Sequence, residues 1–178
     1  ICTDKTGTLT AGVVRLDAAL DAAGETSAAT LRLAFLNATF QTGLANALDD
    51  AILDSARAGG INVGGAHKID EVPYDFVRKC LSVVVTEESG ARVQITKGAL
   101  DQVLNACSGI RQGASIVPLD AAARAAIDAR FQAWSEQGYR VLGIAAKPVE
   151  DRAGPFSRAD EHALCFEGFL LFLDPPKP

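Results

Sequence analysis

The sequence predicts an α+β fold: a twisted, mainly antiparallel sheet with helices packed on it. Two observations carry that prediction. Leu81–Thr86 and Arg92–Lys97 are β-branched runs flanking Glu88-Ser89-Gly90, a hairpin signal, and Arg111-Gln112-Gly113-Ala114 reads as a second tight turn between short strands. Helical segments fall between the hairpins, without the regular strand–helix alternation of a doubly wound parallel sheet. With 178 residues and 48% apolar content the chain suits one domain that can bury a real core.

The elements follow in order. Val13–Leu20 reads as a short strand, and Ala22-Ala23-Gly24-Glu25 as a turn. Thr26 or Ser27 caps a helix through about Phe40, with Leu31, Phe35 and Leu36 on one face. Gln41-Thr42-Gly43 breaks it. Asn46 caps a second helix running to Arg57, and Asp49 falls three residues later, near the positive end of the helix dipole. Gly59-Gly60 stops this helix, and the Gly-rich stretch 59–66 is expected to be mobile. Ile69–Val72 is a short strand interrupted by Pro73. Gly98 ends the second hairpin strand, and a helix follows to about Cys107. Asp120, with Leu119 as a staple, caps a helix reaching Gln137, whose apolar stripe is Ile127, Phe131 and Trp134. Gly138 stops it. Tyr139–Lys147 is a strand, Pro148–Arg158 a polar loop and Ala163–Leu173 a long strand. The prolines of Asp174-Pro175-Pro176-Lys177-Pro178 cannot continue that strand.

The 22 acidic and 17 basic residues give a net charge of −5, which argues against a nucleic-acid partner and against a polybasic membrane patch. Cys2, Cys80, Cys107 and Cys165 are far apart, and His67 and His162 stand alone, so no metal site is expected. The thiols read as buried or partly buried in a reducing compartment. The longest apolar run, Phe169–Leu173, is far short of the roughly 20 residues of a spanning helix, so the chain is expected to be soluble.

Candidate chemistry begins with Asp4-Lys5-Thr6-Gly7-Thr8. A carboxylate can attack phosphorus to form an aspartyl-phosphate, while the lysine offsets charge and the hydroxyls and Gly7 backbone hold phosphate oxygens. Neither a P-loop nor a G-x-G-x-x-G fingerprint is present, so a nucleotide would have to be held another way. In Lys97-Gly98-Ala99 a strand delivers an ammonium beside a residue whose backbone a base or ribose can approach. In Tyr74–Ser82, rings at Tyr74 and Phe76 precede cations at Arg78 and Lys79; a ring can stack on a purine and a cation can meet phosphate. Arg140 opens a strand.

Taken as an ordered set, these motifs resemble the nucleotide-binding (N) domain of P-type cation-transporting ATPases, over essentially the whole chain. Leu36–Leu44 with Asn46–Leu53, Pro73–Phe76 and Phe172–Lys177 resemble the bacterial magnesium-importing branch. The resemblance implies that Asp4, helped by Lys5 and Thr6, is the residue phosphorylated by ATP. It implies that Tyr74 stacks on adenine where the family usually has Phe. It places Asp49 near the adenine amino group, Phe76, Lys79, Lys97 and Gly98 in the same pocket, and Arg140 on the phosphates. Asp174, Pro175, Pro176 and Lys177 match the returning hinge. Proton pumps share that Lys, so the hinge alone does not choose magnesium.

The expected organisation is a phosphorylation-domain stub and hinge over 1–12, the nucleotide domain over 13–171 and the returning hinge over 172–178. The implied cofactor is ATP with Mg2+, whose metal ligands lie mostly outside the chain. The implied partners are ATP or ADP and the phosphorylation, actuator and transmembrane domains of one polypeptide at the cytoplasmic face of the bacterial inner membrane. The chain alone is expected to bind nucleotide without turning it over. The alternatives are a pump for another cation, proton or calcium, and a free-standing haloacid-dehalogenase-type phosphatase; such enzymes carry a second Asp where Thr6 stands here.

Overall fold

The computed structural model describes residues 14–43, 46–151 and 155–173. Asp4, Lys5, Thr6, Asp174, Pro175, Pro176 and Lys177 lie outside the described residues. Eight strands form one sheet: β1 Arg15–Asp21, β2 His67–Asp75, β3 Cys80–Thr86, β4 Arg92–Ala99, β5 Cys107–Gln112, β6 Ser115–Pro118, β7 Arg140–Pro148 and β8 Leu164–Leu173. The helices are α1 Ala28–Phe40, α2 Ala47–Ala58, α3 Leu100–Asn105 and α4 Ala121–Glu136. The strand order is β2-β3-β4-β7-β8-β5-β6, with β1 also on β8. Every pairing is antiparallel except β5 with β8.

The arrangement turns on β8, whose length serves three neighbours. β7 runs along one edge; on the other, β5 takes the first part (Cys107↔Leu164 to Ile110↔Phe166) and β1 the second (Asp21↔Gly168 to Arg15↔Leu173). Between them the register slips at Glu167, a bulge. Gly168 sits there at φ 155°, and a Cβ on it would lie 1.9 Å from the Leu20 carbonyl oxygen, so only glycine lets β1 close on β8. The bulge leaves Phe166 and Phe169 on one face, ring centroids 5.0 Å apart, and sends Leu170 and Phe172 to the other.

Each face of the sheet carries its own core. Phe35, Leu36 and Ile52 of α1 and α2 pack with Val83, Ile95, Ile144 and Phe172 on the first face. Val103, Leu104 and Ile127 of α3 and α4 pack with Val141, Phe166 and Phe169 on the second. Burying each such aliphatic or aromatic side chain is worth about 1.5–3 kcal/mol. Trp134 of α4 stacks edge-on against Phe169 at 4.9 Å, a core role as its place in the helical stripe predicts.

Three expectations need correction. Pro73 does not interrupt its strand: β2 runs through it to Asp75, because β2 is the sheet's edge and pairs only with β3. Gly98 does not end β4, since Ala99 still donates its N–H to the Lys79 carbonyl at 2.9 Å. The Gly-rich stretch is anchored rather than loose: Ile61 donates to Ala56 at 2.9 Å, and Ile61 and Val63 pack on the first core.

Candidate functional site

A cleft of about 640 Å³ opens on the first face, where the N-terminus of α2 meets the ends of β3, β4 and β7. Its floor is built by α2. Asn46 caps the helix, its Oδ1 accepting from the N–H groups of Leu48 (3.1 Å) and Asp49 (3.0 Å). The same side chain turns its Nδ2 onto Asp49 Oδ2 at 2.6 Å, and Gln41 Nε2 reaches that oxygen at 3.3 Å. The other oxygen, Oδ1, takes the ammonium of Lys97, which β4 delivers from below. Both side chains of this ion pair are only 5% exposed. Burial pulls the Lys97 pKa down, and Asp49 pushes it back up.

Gly98 lines the cleft next to Lys97, but its missing side chain answers first to the sheet. A Cβ there would lie 2.4 Å from both Cys80 Cβ and the Lys79 carbonyl oxygen, so β3 and β4 could not keep their register. The close backbone approach that the sequence assigns to a ligand is made by the neighbouring strand.

One wall is the turn joining β2 to β3. Tyr74 and Phe76 meet edge to face at 5.4 Å and remain 49% and 86% exposed, large rings left facing the cleft mouth. Asp75 shapes the turn: its Oδ1 accepts from Val77 N–H (2.7 Å) and Arg78 N–H (3.1 Å), and these two bonds hold its carboxyl below the usual range. The turn closes with Lys79 in the left-handed region at φ 51°. Lys79 and, across the cleft, Arg140 at the start of β7 are exposed cations with no hydrogen-bonded or ion-paired side-chain partner among the described residues. Arg140 lies opposite Phe172 of β8.

Asp49, Tyr74, Phe76, Lys79, Lys97, Gly98 and Arg140 therefore all line one cleft. Arg78 does not join them: its guanidinium pairs with Glu161 on the sheet's second face, so of the two adjacent cations only Lys79 faces the cleft. The sequence reading missed Gln41, which it took for a helix breaker, and the second role of Asn46, which it took for a cap alone. An amide at an N-cap three residues before a carboxylate is the signal that could have found the latter. A second cleft, of about 630 Å³, lies between α1 and the β5–β8 region. Its main charges neutralise one another, Arg111 gripping Glu167 at 3.1 and 3.0 Å and Arg32 pairing with Glu87, and none of the seven residues lines it.

The model of the P-type ATPase cytoplasmic domain N matches residues 39–178. The chain belongs to this family. Over 179 residues, 99% of the chain, it is 42% identical to the "Magnesium-transporting ATPase, P-type 1" of Escherichia coli K12. It is 42% identical over 180 residues to the protein of the same name from Salmonella typhimurium LT2. The "Calcium-transporting ATPase" of Bacillus subtilis is 28% identical over 134 residues, 73% of the chain and 15% of that protein. The N domain described here spans 20% of the length of the magnesium-transporting relatives. Among its described residues no helix is long and apolar enough to cross a membrane.

Proposed function

We propose that the cleft of this N domain binds ATP or ADP. The observation that carries the reading is convergence: an aromatic pair, a buried acid–base pair and two exposed cations without a side-chain partner among the described residues, drawn from positions 49 to 140, meet around a cavity of ligand size. In this reading the Tyr74 ring stacks on adenine, with Phe76 supporting it edge-on. Asp49, held in place by Asn46, Gln41 and Lys97, faces the exocyclic amine. Lys79 and Arg140 at the mouth receive the phosphates. Asp49 is the one carboxylate among the described lining residues of the cleft, and a single carboxylate is too few to hold a divalent cation. The cleft thus offers no set of metal ligands, and Mg2+ would arrive on the phosphates of ATP.

In the whole protein, we infer, this domain delivers the γ-phosphate to Asp4, and the aspartyl-phosphate so formed drives ion transport across the bacterial inner membrane. Magnesium import is favoured because the magnesium-transporting relatives share 42% identity over 99% of the chain, against 28% over 73% for the calcium relative. The 178-residue chain alone should bind nucleotide without hydrolysing it, because positioning groups for in-line transfer to Asp4 are to be supplied by other domains. An NMR titration with ATP checks the reading. Shifts should cluster on Tyr74, Lys79, Lys97 and Gly98, and the absence of any shift at millimolar ATP would overturn it.

A further inference from the structure

We propose that Glu161, on the face of the sheet opposite the cleft, is a positioning residue that sets the Tyr74–Lys79 turn through Arg78. The inference rests on the nucleotide reading above. Residues 155–163, ahead of β8, reach the outer strands β2 and β3. Val83 and Ile95 belong to the first core, so Ser82 and Thr96, one residue along, point the other way. There Ser82 and Thr96 hydroxyls meet at 2.7 Å, and Ser82 Oγ donates to Glu161 Oε1 at 2.6 Å. Glu161 Oε2 takes Nη1 of Arg78. The Glu161 side chain is 6% exposed, so this ion pair is shielded from solvent.

Arg78 then does something a simple ion pair does not. Its Nη2 donates to the Pro73 carbonyl at 2.7 Å, the peptide immediately before Tyr74, while its own main chain leads directly into Lys79. The ladder does little to hold this stretch. β2 is an edge strand, its register with β3 slips between Val72 and Asp75, and Pro73 has no N–H to donate. The side-chain bridge from Glu161 through Arg78 to the Pro73 carbonyl replaces the missing ladder bonds. A planar guanidinium can hold a carboxylate and a carbonyl at once in fixed geometry, which an ammonium cannot. A second tether, Arg158 on Asp75, holds the same turn from the same segment. Glu161 does not line the cleft, so its influence on a ligand runs through the position of the Tyr74 ring and the Lys79 ammonium.

The test uses the 178-residue chain, whose two cores close within the described residues, with ATP titrations followed by NMR on wild type, Glu161→Gln, Arg78→Lys and Ser82→Ala. Glu161→Gln should weaken ATP binding roughly 5- to 10-fold, the effect of a small misplacement of contacting groups. Before any ATP is added it should shift the Tyr74 and Lys79 amides and leave those of Asp49 and Lys97 in place, a pattern that general loosening would not give. Arg78→Lys keeps the ion pair with Glu161, and so the fold, but loses the reach to Pro73; it should weaken ATP to a similar degree. Ser82→Ala removes the other Glu161 bond and should leave affinity within about twofold of wild type, because the Arg78 bridge survives. Unchanged affinity and unmoved Tyr74 shifts in Arg78→Lys would overturn the positioning role while the wild-type titration still supports the cleft. A wild-type chain blind to ATP would instead remove the nucleotide reading itself.

Discussion

The two halves of the Asp49–Lys97 pair should not be equally expendable. Lys97 Nζ has one acceptor among the described residues, Asp49, in a site 5% exposed. Asp49 has more: Asn46 at 2.6 Å, Gln41 at 3.3 Å and its place in the first turn of α2, where the helix dipole favours negative charge. Asp49→Ala strands a buried ammonium and should cost about 3–5 kcal/mol, the usual penalty for breaking a buried pair. Lys97→Met leaves a carboxylate that still has donors and should cost about 1–3 kcal/mol. The double change, Asp49→Ala with Lys97→Met, removes both charges and should recover much of the loss. Burial pulls Lys97 below its ordinary 10.5, and Asp49 opposes that pull, so in Asp49→Ala the lysine falls further. Above that lowered pKa the unfolded chain holds more protons than the folded one, so the variant gains stability as pH rises. The gap to wild type should narrow by up to about 1.4 kcal/mol per pH unit until Lys97 titrates in wild type as well. Urea unfolding at pH 7 and at pH 10, with ΔΔG taken from midpoints at constant m, measures this. Equal costs for the two single variants, or a gap that does not change with pH, would refute the reasoning.

Two further outcomes are expected. Gly98→Ala should destabilise by about 3 kcal/mol, because the new methyl meets the Lys79 carbonyl oxygen at 2.4 Å and Cys80 Cα at 2.6 Å, backbone that cannot swing aside; for a chain of this size that is a fall in melting temperature of about 6–12 °C, and a variant within 1 °C of wild type would contradict the geometry. Burial pushes the Cys80 thiol up to about 11 and those of Cys107 and Cys165 up to about 12, so at pH 8 each holds well under about 1% thiolate; in a Cys2→Ser variant, iodoacetamide should label none of the three over hours without urea, and rapid labelling of half-buried Cys107 would show otherwise.

Local chemistry made much of this fold readable. Ser27, Asn46 and Asp120 each accept a helix-terminal N–H as their positions predict, and Gly113-Ala114 is the two-residue turn between β5 and β6. The antiparallel hairpin β3–β4 lies where its β-branched runs put it. What stayed hidden was non-local. The parallel pairing of β5 with β8 joins segments more than fifty residues apart, and nothing in either run marks its neighbour. Pro73 reads as a strand breaker until β2 is known to be an edge. At the candidate site, motif order brought out seven residues, but Arg78 and Lys79 are adjacent cations that only the turn geometry separates, one to each face of the sheet. Gln41 was missed because its partner is a side chain eight positions on, across a helix break.

The cleft joins parts of unequal robustness, and that bears on how it would handle a ligand. Its floor belongs to the first core: Lys97 is in the middle of the sheet, and Asp49 sits on a helix whose Ile52 is fully buried. Its aromatic wall sits on an edge strand with one neighbour, and its rings are exposed. Local opening should therefore start at the Tyr74–Lys79 turn well before the floor is disturbed. Residues 155–163 counter this with polar tethers: Arg78 to Glu161, Asp75 to Arg158, and Asp70 accepting from Phe156 N–H at 2.6 Å. Such bonds give direction without bulk, so they can set where the wall stands while leaving its rings uncovered. A fixed floor and a wall aligned from behind let a flat base be gripped without either surface having to fold around it.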